Sequence, residues 1–233
     1  INKIYHGGVL YPNARHTRNP KKILIKLFNL FLKQGGVFEK QDVKTITFSF
    51  DDKPIIKSNF NSYDFDKVVI ACGAFSKKFT DQADEKIPLD TERGYHVHFK
   101  DHDHLLSRPV IFLNRGFGIT PMEQGLRVVG TVEFGGLDNP LNKKRILNLV
   151  NNAKYLFSGL SDHQDEWLGF RPSLPDFLPV MGPSKKYKNL FYSFGHHHLG
   201  WTLGAISGKI VAGMIAKENT NLDLSPYSSL RFS

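Results

Sequence analysis

Hydrophobic side chains recur at helical spacing in three parts of the chain. Residues 19–34 place one every three or four positions, with Asn19 as the N-cap and a Gly-Gly pair as the stop signal. The segment NKKRILNLVNNAKYLF, residues 142–157, predicts a second amphipathic helix. A third helix, rich in small residues that would let another element approach closely, is expected over residues 202–217.

Between these helices, alternating or continuous hydrophobic runs predict β-strands. In chain order they cover residues 4–12, 37–40, 43–50, 68–71, 96–100, 110–114, 117–121, 126–134 and 189–195. Asp51-Asp52 would form a turn, and Gly73 would end a buried strand where a helix starts. The two ends of the chain alternate helix with buried strand, whereas the middle is a meander of strands with one helix. We therefore expect a mixed α/β fold built from two interleaved domains.

Composition and charge exclude several classes of protein. The 233 residues are 40% hydrophobic and 12% aromatic, which indicates an ordered chain with a sizeable core. The net charge of +9 comes from lysine pairs scattered along the sequence, a pattern that favours a solubilising surface over a nucleic-acid patch. A single cysteine, Cys72, suits a reducing compartment. No apolar run approaches the roughly 20 residues of a transmembrane helix, and no signal peptide is visible.

The segment GHHHLGWTLG, from Gly195 to Gly204, raises the question of a metal site. Three consecutive side chains cannot all face one ion from an extended strand, because neighbours point to opposite faces. His196 and His198 could share a face, but no cysteine and no obvious acidic partner lies at ligand spacing. The alternative interpretation is a glycine-based turn that presents free backbone N–H groups at the start of a helix, where a partly negative ligand binds favourably. We expect the turn and no metal.

Five motifs follow one another along the sequence. They are VVIACGAFS, IPLDTERGYHVHF, GLRVVGTVEFGG, GFRPSLPDFLPVMGP with the GHHHLG turn, and LSPYSSLRFS. In this order they resemble the signature of FAD-dependent D-amino-acid dehydrogenases and their relatives, the glycine oxidases and D-amino-acid oxidases. In that family a G-[FL]-R-P strand precedes P-D-x-x-P-x-[IM]-G-P, a G-H-x-x-x-G turn and a closing helix. The resemblance covers nearly the whole chain.

The resemblance implies roles for residues of the GFRP and GHHHLG motifs. Arg171 would grip the substrate carboxylate, for which a guanidinium fork provides two parallel hydrogen bonds. The turn would lay its backbone amides along the pyrimidine edge of the flavin and stabilise the negative charge of the reduced flavin. The cofactor-binding residues of this turn are Gly195, His198, Leu199, Gly200, Trp201 and Thr202. His197 is often glycine in related sequences, so its bulk is expected to shape the substrate pocket.

Further assignments rest on the same resemblance. Cys72 and Gly73 would lie beside the dinucleotide, and the backbone of Val43 would meet the adenine. Tyr95 is expected near the isoalloxazine or the substrate. Where the D-amino-acid oxidases carry a tyrosine before an Ile-Pro turn, this sequence has Gly118 in FGITP, and this departure weakens the prediction of the substrate.

The expected architecture is a partial FAD-binding Rossmann-like domain interleaved with an antiparallel-sheet substrate domain. Residues 1–16 would be a strand of the substrate domain, 17–87 part of the FAD-binding domain, 88–170 the substrate domain, and 171–233 the return to the FAD-binding domain. The G-x-G-x-x-G phosphate turn of the family is absent from these residues. We therefore expect the chain to be the C-terminal portion of a longer enzyme, inactive alone.

The resulting hypothesis is an FAD-dependent oxidoreductase that oxidises the Cα–N bond of a D-amino acid by hydride transfer to flavin, giving a 2-oxo acid and ammonia. Two alternatives stay open, namely an oxidase or demethylase of glycine, sarcosine or proline-like acids, and a non-catalytic subunit that needs an N-terminal partner. The expected partners are a small amino acid and an electron acceptor, which is a quinone, oxygen or another protein. The expected location is the cytoplasm, with peripheral association at the inner membrane left open.

Overall fold

The computed structural model describes residues 5–232. Its helices are α1 (Pro20–Lys33), α2 (Lys77–Gln82), α3 (Lys143–Leu156) and α4 (Gly200–Ile215). Its first strands are β1 (Val43–Phe48), β2 (Pro54–Ser58), β3 (Ser62–Asp64), β4 (Val68–Ile70), β5 (Asp90–Phe99) and β6 (Val110–Phe112). The remaining strands are β7 (Phe117–Met122), β8 (Gly125–Phe134), β9 (Gln164–Ser173), β10 (Val180–Pro183) and β11 (Leu190–Phe194). No helix within residues 5–232 is both long and apolar enough to cross a bilayer.

The chain folds into two compact units and passes from one to the other several times. The first unit comprises residues 1–39, 93–133 and 138–169, and the second comprises 40–92, 134–137 and 170–233. The predicted mixed α/β fold with antiparallel sheets is confirmed. The first boundary differs from the predicted one, because residues 17–39 group with the first unit. The assignment of one unit to FAD and the other to substrate stays a prediction.

A five-stranded sheet in the order β6-β7-β8-β5-β9 forms the centre of the first unit. The register of the antiparallel pair β7 and β8 places Ile119 opposite Val128, and both side chains are buried. Tyr95, Val97 and Phe99 alternate along β5 toward the same core. The predicted hydrophobic face of α3 closes this core, and the Asn142 side chain caps the helix by accepting the Lys144 N–H.

Helix α1 confirms the first predicted helix, but it buries none of its residues. Asn19 caps it through the Lys22 N–H and also donates to Glu123, with which Lys22 forms an ion pair of 2.6 Å. The strands predicted over 4–12 and 37–40 are wrong for the described residues of those segments. Residues 5–12 and 37–40 are mostly exposed and have no partner strand, so no ladder holds their backbone.

The second unit contains two three-stranded sheets. One has the order β1-β2-β3 and is antiparallel, and the other has the order β10-β11-β4, in which β11 runs parallel to β4. Ile70 of β4 and Tyr192 of β11 belong to its main core, while Phe191 on the other side of β11 packs in a cluster with Val211 of α4. A parallel pair followed by a closing helix agrees with the nucleotide-binding pattern expected for the chain ends.

A buried carboxylate ties the C-terminal turn to this second unit. Glu85 accepts hydrogen bonds from the Tyr192 hydroxyl at 2.9 Å, the Lys185 N–H at 3.2 Å, the Ser229 hydroxyl at 3.3 Å and the Ser184 hydroxyl. These donors satisfy both oxygens without a cation. Such a carboxylate contributes to structure rather than to ligand binding.

Gly125 occupies a position at which we predict that only glycine is tolerated. Its φ of +117° lies in the region that favours glycine, and a Cβ there would lie 2.1 Å from the Phe99 carbonyl oxygen. We expect Gly125→Ala to lower the free energy of unfolding by more than about 2 kcal/mol, because backbone rather than a movable side chain blocks the methyl group. Gly116 is the matched control, since it has a φ of +65° but a Cβ there would meet nothing within 4 Å. Gly116→Ala should cost about 1 kcal/mol in the same urea titration, and equal losses for both variants would refute the steric argument.

His96 lies in the first unit in its neutral form and makes the free energy of unfolding depend on pH. Its ring stacks on Trp167 at 4.7 Å, and burial, reinforced by Arg127 and His98, lowers the pKa of His96 to about 3. In the unfolded chain histidine titrates near 6.5, so acidification from about pH 6.5 toward 3 favours unfolding. We expect a loss of up to about 1.4 kcal/mol per pH unit from this group. His96→Phe, which retains an aromatic ring, should flatten the pH dependence measured by urea denaturation at about pH 7, 6 and 5, and an unchanged slope would contradict the prediction.

Candidate functional site

A glycine-dependent bend connects β11 to α4 in the second unit. Gly195 has a φ of +83°, and a Cβ at this position would lie 2.5 Å from Cδ1 of Leu174. The chain then makes a short 3₁₀ turn, residues His197–Leu199, in which the Leu199 N–H donates to the His196 carbonyl at 2.9 Å. This turn explains why α4 begins at Gly200 and not at residue 202 as predicted.

The beginning of α4 presents main-chain N–H groups to the surroundings. Leu199 occupies the N-cap position, and no side chain caps the helix there. The predicted cofactor-binding residues Leu199, Gly200, Trp201 and Thr202 are all exposed. Because the N–H groups of a first helical turn have no partner within the helix, this end of α4 can accept a group that carries partial negative charge.

The three histidines of the turn have different partners. His196 Nε2 lies 2.9 Å from the Ser207 hydroxyl, and burial lowers the pKa of His196. His197 has the left-handed φ of +52°, and its ring meets the edge of Phe177 at 5.0 Å and contacts His198 through Nδ1. Within residues 5–232 no group of three or more His, Cys, Asp or Glu side chains is arranged to hold a metal ion.

Arg171, Glu92, His197 and His198 all belong to the second unit and influence one another electrostatically, and we call them the Arg171–Glu92 cluster. Glu92 Oε1 lies 2.9 Å from His197 Nε2, and both side chains are almost fully buried. Burial lowers the pKa of the half-buried Arg171 guanidinium, and the charge of Glu92 opposes this shift. Burial also lowers the pKa of His198. The charges of His197 and Arg171 add to this lowering, and the charge of Glu92 opposes it.

The structure therefore brings the predicted carboxylate-binding arginine and the histidine turn into one electrostatic environment. Both belong to the second unit, and the charge of Arg171 contributes to the lowering of the pKa of His198. The Arg171 guanidinium on β9 is complementary to the carboxylate of a small acid. The main-chain N–H donors at the start of α4 are complementary to an electron-rich ring edge.

The other predicted cofactor-binding residues also belong to the second unit. Val43 begins β1, and its carbonyl accepts a hydrogen bond of 3.1 Å from Lys78 Nζ. Cys72 follows β4 and donates its N–H to the Ser76 hydroxyl at 3.1 Å, and Gly73 has a φ of +56°. Although Cys72 is exposed, local desolvation raises the pKa of its thiol, which argues against a reactive thiolate.

Tyr95 lies in the core of the first unit. Its side chain is fully buried, and its hydroxyl donates to Glu133. Arg93, also buried, has its Nε 3.3 Å from the same carboxylate. The described contacts of Tyr95 are therefore structural, and its predicted role near the substrate stays a prediction.

Sequence reasoning did not single out Glu92. It stands within the motif IPLDTERGYHVHF. His197, which it contacts, and Arg171, whose pKa its charge influences, follow much later in the chain. No local spacing links these positions. The sequence offered a single indication of Glu92, namely its position directly before the Arg-Gly pair of a motif that carries the family resemblance.

Comparisons with known proteins identify relatives of this chain. The chain is 29% identical to a D-amino-acid oxidase of Bradyrhizobium diazoefficiens over 233 residues, which cover 98% of this chain and 55% of that protein. It is 31% identical to a D-amino acid dehydrogenase of Granulibacter bethesdensis over 182 residues, covering 76% of this chain and 43% of that protein. The chain thus spans about half the length of these relatives.

The fold also matches that of solved structures. The crystal structure of glycine oxidase from Geobacillus kaustophilus superposes with a TM-score of 0.72 at 24% identity, covering 82% of this chain and 52% of that one. The sequence profile described as FAD dependent oxidoreductase, DAO, matches residues 2–214. This match spans most of the sequence, and the motifs that predicted the family lie at the bend and at Arg171, so the chain belongs to the DAO family of FAD dependent oxidoreductases.

Proposed function

We propose that this chain is the substrate- and flavin-contacting portion of an enzyme that oxidises the Cα–N bond of a D-amino acid to a 2-oxo acid and ammonia. The observation that carries the proposal is the grouping of Arg171 with the histidine turn in one unit. The names of two relatives, a D-amino-acid oxidase and a D-amino acid dehydrogenase, support this substrate class over glycine or sarcosine.

The residues present fit a flavin. Gly195 has a φ of +83°, which favours glycine at the bend, and the exposed first turn of α4 lacks a side-chain cap. We assign the pyrimidine edge of the cofactor to the N–H groups of residues 199–202, and the dinucleotide to Val43, Cys72 and Gly73. When bound, FAD supplies the hydride acceptor of the reaction.

Arg171 provides orientation in this scheme. A guanidinium fork holds a carboxylate through two charge-assisted hydrogen bonds, which fixes the direction in which the Cα hydrogen points. Half-burial strengthens this interaction because water competes less for both charges. Removal of a hydride from Cα and of a proton from the amino group would convert the Cα–N bond into the C=N bond of an imine, which water would hydrolyse to the 2-oxo acid and ammonia. In this proposal the bulk of His197, in the turn before α4, limits the room for the substrate side chain.

A substrate panel tests the proposal. The full-length polypeptide, purified under native conditions and supplied with FAD, is assayed on D-alanine, L-alanine, glycine, sarcosine and D-proline, with ammonia and the 2-oxo acid as products. We expect turnover of D-alanine to exceed that of glycine and sarcosine, and L-alanine to be inactive. Turnover confined to glycine or sarcosine would favour the alternative amine oxidase. Parallel assays with oxygen and with a soluble quinone identify the electron acceptor.

A further inference from the structure

His197 has a strained backbone in the bend that leads into α4. Its φ of +52° lies in the left-handed region, where a Cβ comes too close to the backbone. A residue with a side chain keeps such a conformation only where surrounding contacts hold it there. The shape of the bend therefore depends on what the His197 side chain touches.

Two neighbours hold the His197 ring in the second unit. Its Nε2 lies 2.9 Å from Glu92 Oε1, and only 9% of the His197 side chain and 11% of the Glu92 side chain are exposed. The ring meets Phe177 edge to face, with 5.0 Å between the two centroids. Glu92 stands on strand β5 rather than in a loop, so its carboxylate projects from a fixed backbone. The proposed scheme gives this carboxylate no role, yet it ties the turn to a strand that is distant in the sequence.

The residues after His197 carry the main-chain N–H groups that we assign to the flavin. The short turn ends at Leu199, and α4 begins at Gly200 without a side-chain cap. Because each peptide group is planar and rigid, a change of the backbone angles at His197 reorients the N–H groups that follow it. The direction of the donors at residues 199–202 is thus coupled to the conformation of His197.

We propose that Glu92 is a positioning residue for the flavin. By holding the His197 ring, it keeps the bend in the left-handed conformation that aims the N–H groups of residues 199–202 at the cofactor. This inference rests on the proposed function, and in it Glu92 touches neither the flavin nor the substrate. Glycine adopts the same backbone without strain, so the need for Glu92 should vanish once position 197 lacks a side chain.

Substitution of Glu92 measures its hold on the bend. Glu92→Met keeps the length of the side chain and removes both carboxylate oxygens. In the full-length polypeptide we expect it to raise the Kd for FAD, measured by quenching of flavin fluorescence, about 5- to 30-fold, because the relaxed bend must be strained again before it binds. Without FAD, the amides of residues 195–202 should exchange faster with deuterium in peptide-resolved mass spectrometry. Glu92→Gln, whose amide oxygen can still accept from the ring, should fall in between.

Two comparisons separate positioning from general structure. In a His197→Gly background, Glu92→Met should change the Kd for FAD by less than about twofold. Glu166→Met is the matched control, because Glu166 Oε1 lies 3.0 Å from His163 Nε2 in the first unit, and it should leave the Kd for FAD unchanged. Circular dichroism confirms that the variants are folded, and Glu92→Gln replaces Glu92→Met in the same comparison if the methionine variant does not fold.

The outcomes distinguish this inference from the proposed function. An equal rise of the Kd for FAD in both backgrounds, or no rise in either, overturns the inference while FAD binding itself stands. If the unmodified full-length polypeptide does not bind FAD, the proposed function fails, and this inference fails with it.

Discussion

Arg171→Leu should lower kcat/KM on D-alanine by roughly 30-fold to several thousand-fold, which corresponds to about 2–5 kcal/mol of lost interaction. The guanidinium is half-buried, so its contact with a carboxylate is only weakly screened by water. Leucine removes both hydrogen bonds and leaves the substrate carboxylate desolvated without a counter-charge. Steady-state kinetics at saturating electron acceptor measure the effect.

Two comparisons show whether this loss reflects the guanidinium fork. Arg171→Lys retains the charge but not the paired hydrogen bonds, and it should fall between the wild-type and leucine enzymes. Arg231, which pairs with Asp176 at 2.6 Å in the same unit, is the matched control. Arg231→Leu should reduce stability but leave kcat/KM per folded enzyme within about twofold. Unchanged kcat and KM in Arg171→Leu would remove the assignment of the carboxylate clamp.

Glu133→Ala should destabilise the protein by about 3–5 kcal/mol. The Glu133 carboxylate accepts hydrogen bonds from Tyr95 and from Asn142, the latter at 2.9 Å, and lies 3.3 Å from Nε of both Arg93 and Arg145. Arg93 is only 1% exposed. Alanine would therefore leave a buried cation without this carboxylate, in the middle of the first unit's sheet.

The loss of stability caused by Glu133→Ala should also depend on pH. The hydrogen bond from Tyr95, followed by that from Asn142, lowers the pKa of Glu133. A lowered carboxyl pKa contributes stability above the unfolded pKa of about 4.5, and this contribution disappears as the pH falls through the folded pKa. Urea denaturation near neutral pH should thus show the full effect. Glu123→Ala removes an exposed ion pair with Lys22 and should destabilise the protein far less than Glu133→Ala, and a similar cost for both variants would contradict the buried-charge argument.

Helical and strand periodicity predicted much of the fold. The spacing of Ile146, Leu149 and Val150 matched the buried face of α3, because that helix has one side in a core. The segment at residues 4–12 also has hydrophobic character, but the described part forms no strand, since strand formation requires a partner that no local pattern specifies. The short strands β2, β3 and β10 were not predicted, because three to five residues carry too little alternation. Strand β9 was expected only as the GFRP strand of the resemblance.

The candidate site, too, could be predicted from the sequence only in part. Arg171 and the bend at Gly195 stand in recognisable motifs, so the resemblance was sufficient to find them. The partnership of Glu92 with His197 arises only when distant segments of the second unit fold together. His197 illustrates both cases, because its left-handed backbone is a conformation that glycine adopts readily, while its ring contacts depend on tertiary structure.

A structure of the protein with FAD and 2-aminoisobutyrate tests the central claim most directly. We expect the Arg171 guanidinium to bond both carboxylate oxygens, while the flavin's pyrimidine edge rests on the main-chain N–H groups of residues 199–202. A ligand carboxylate bound away from Arg171, or a flavin whose pyrimidine edge contacts another segment, would contradict this claim.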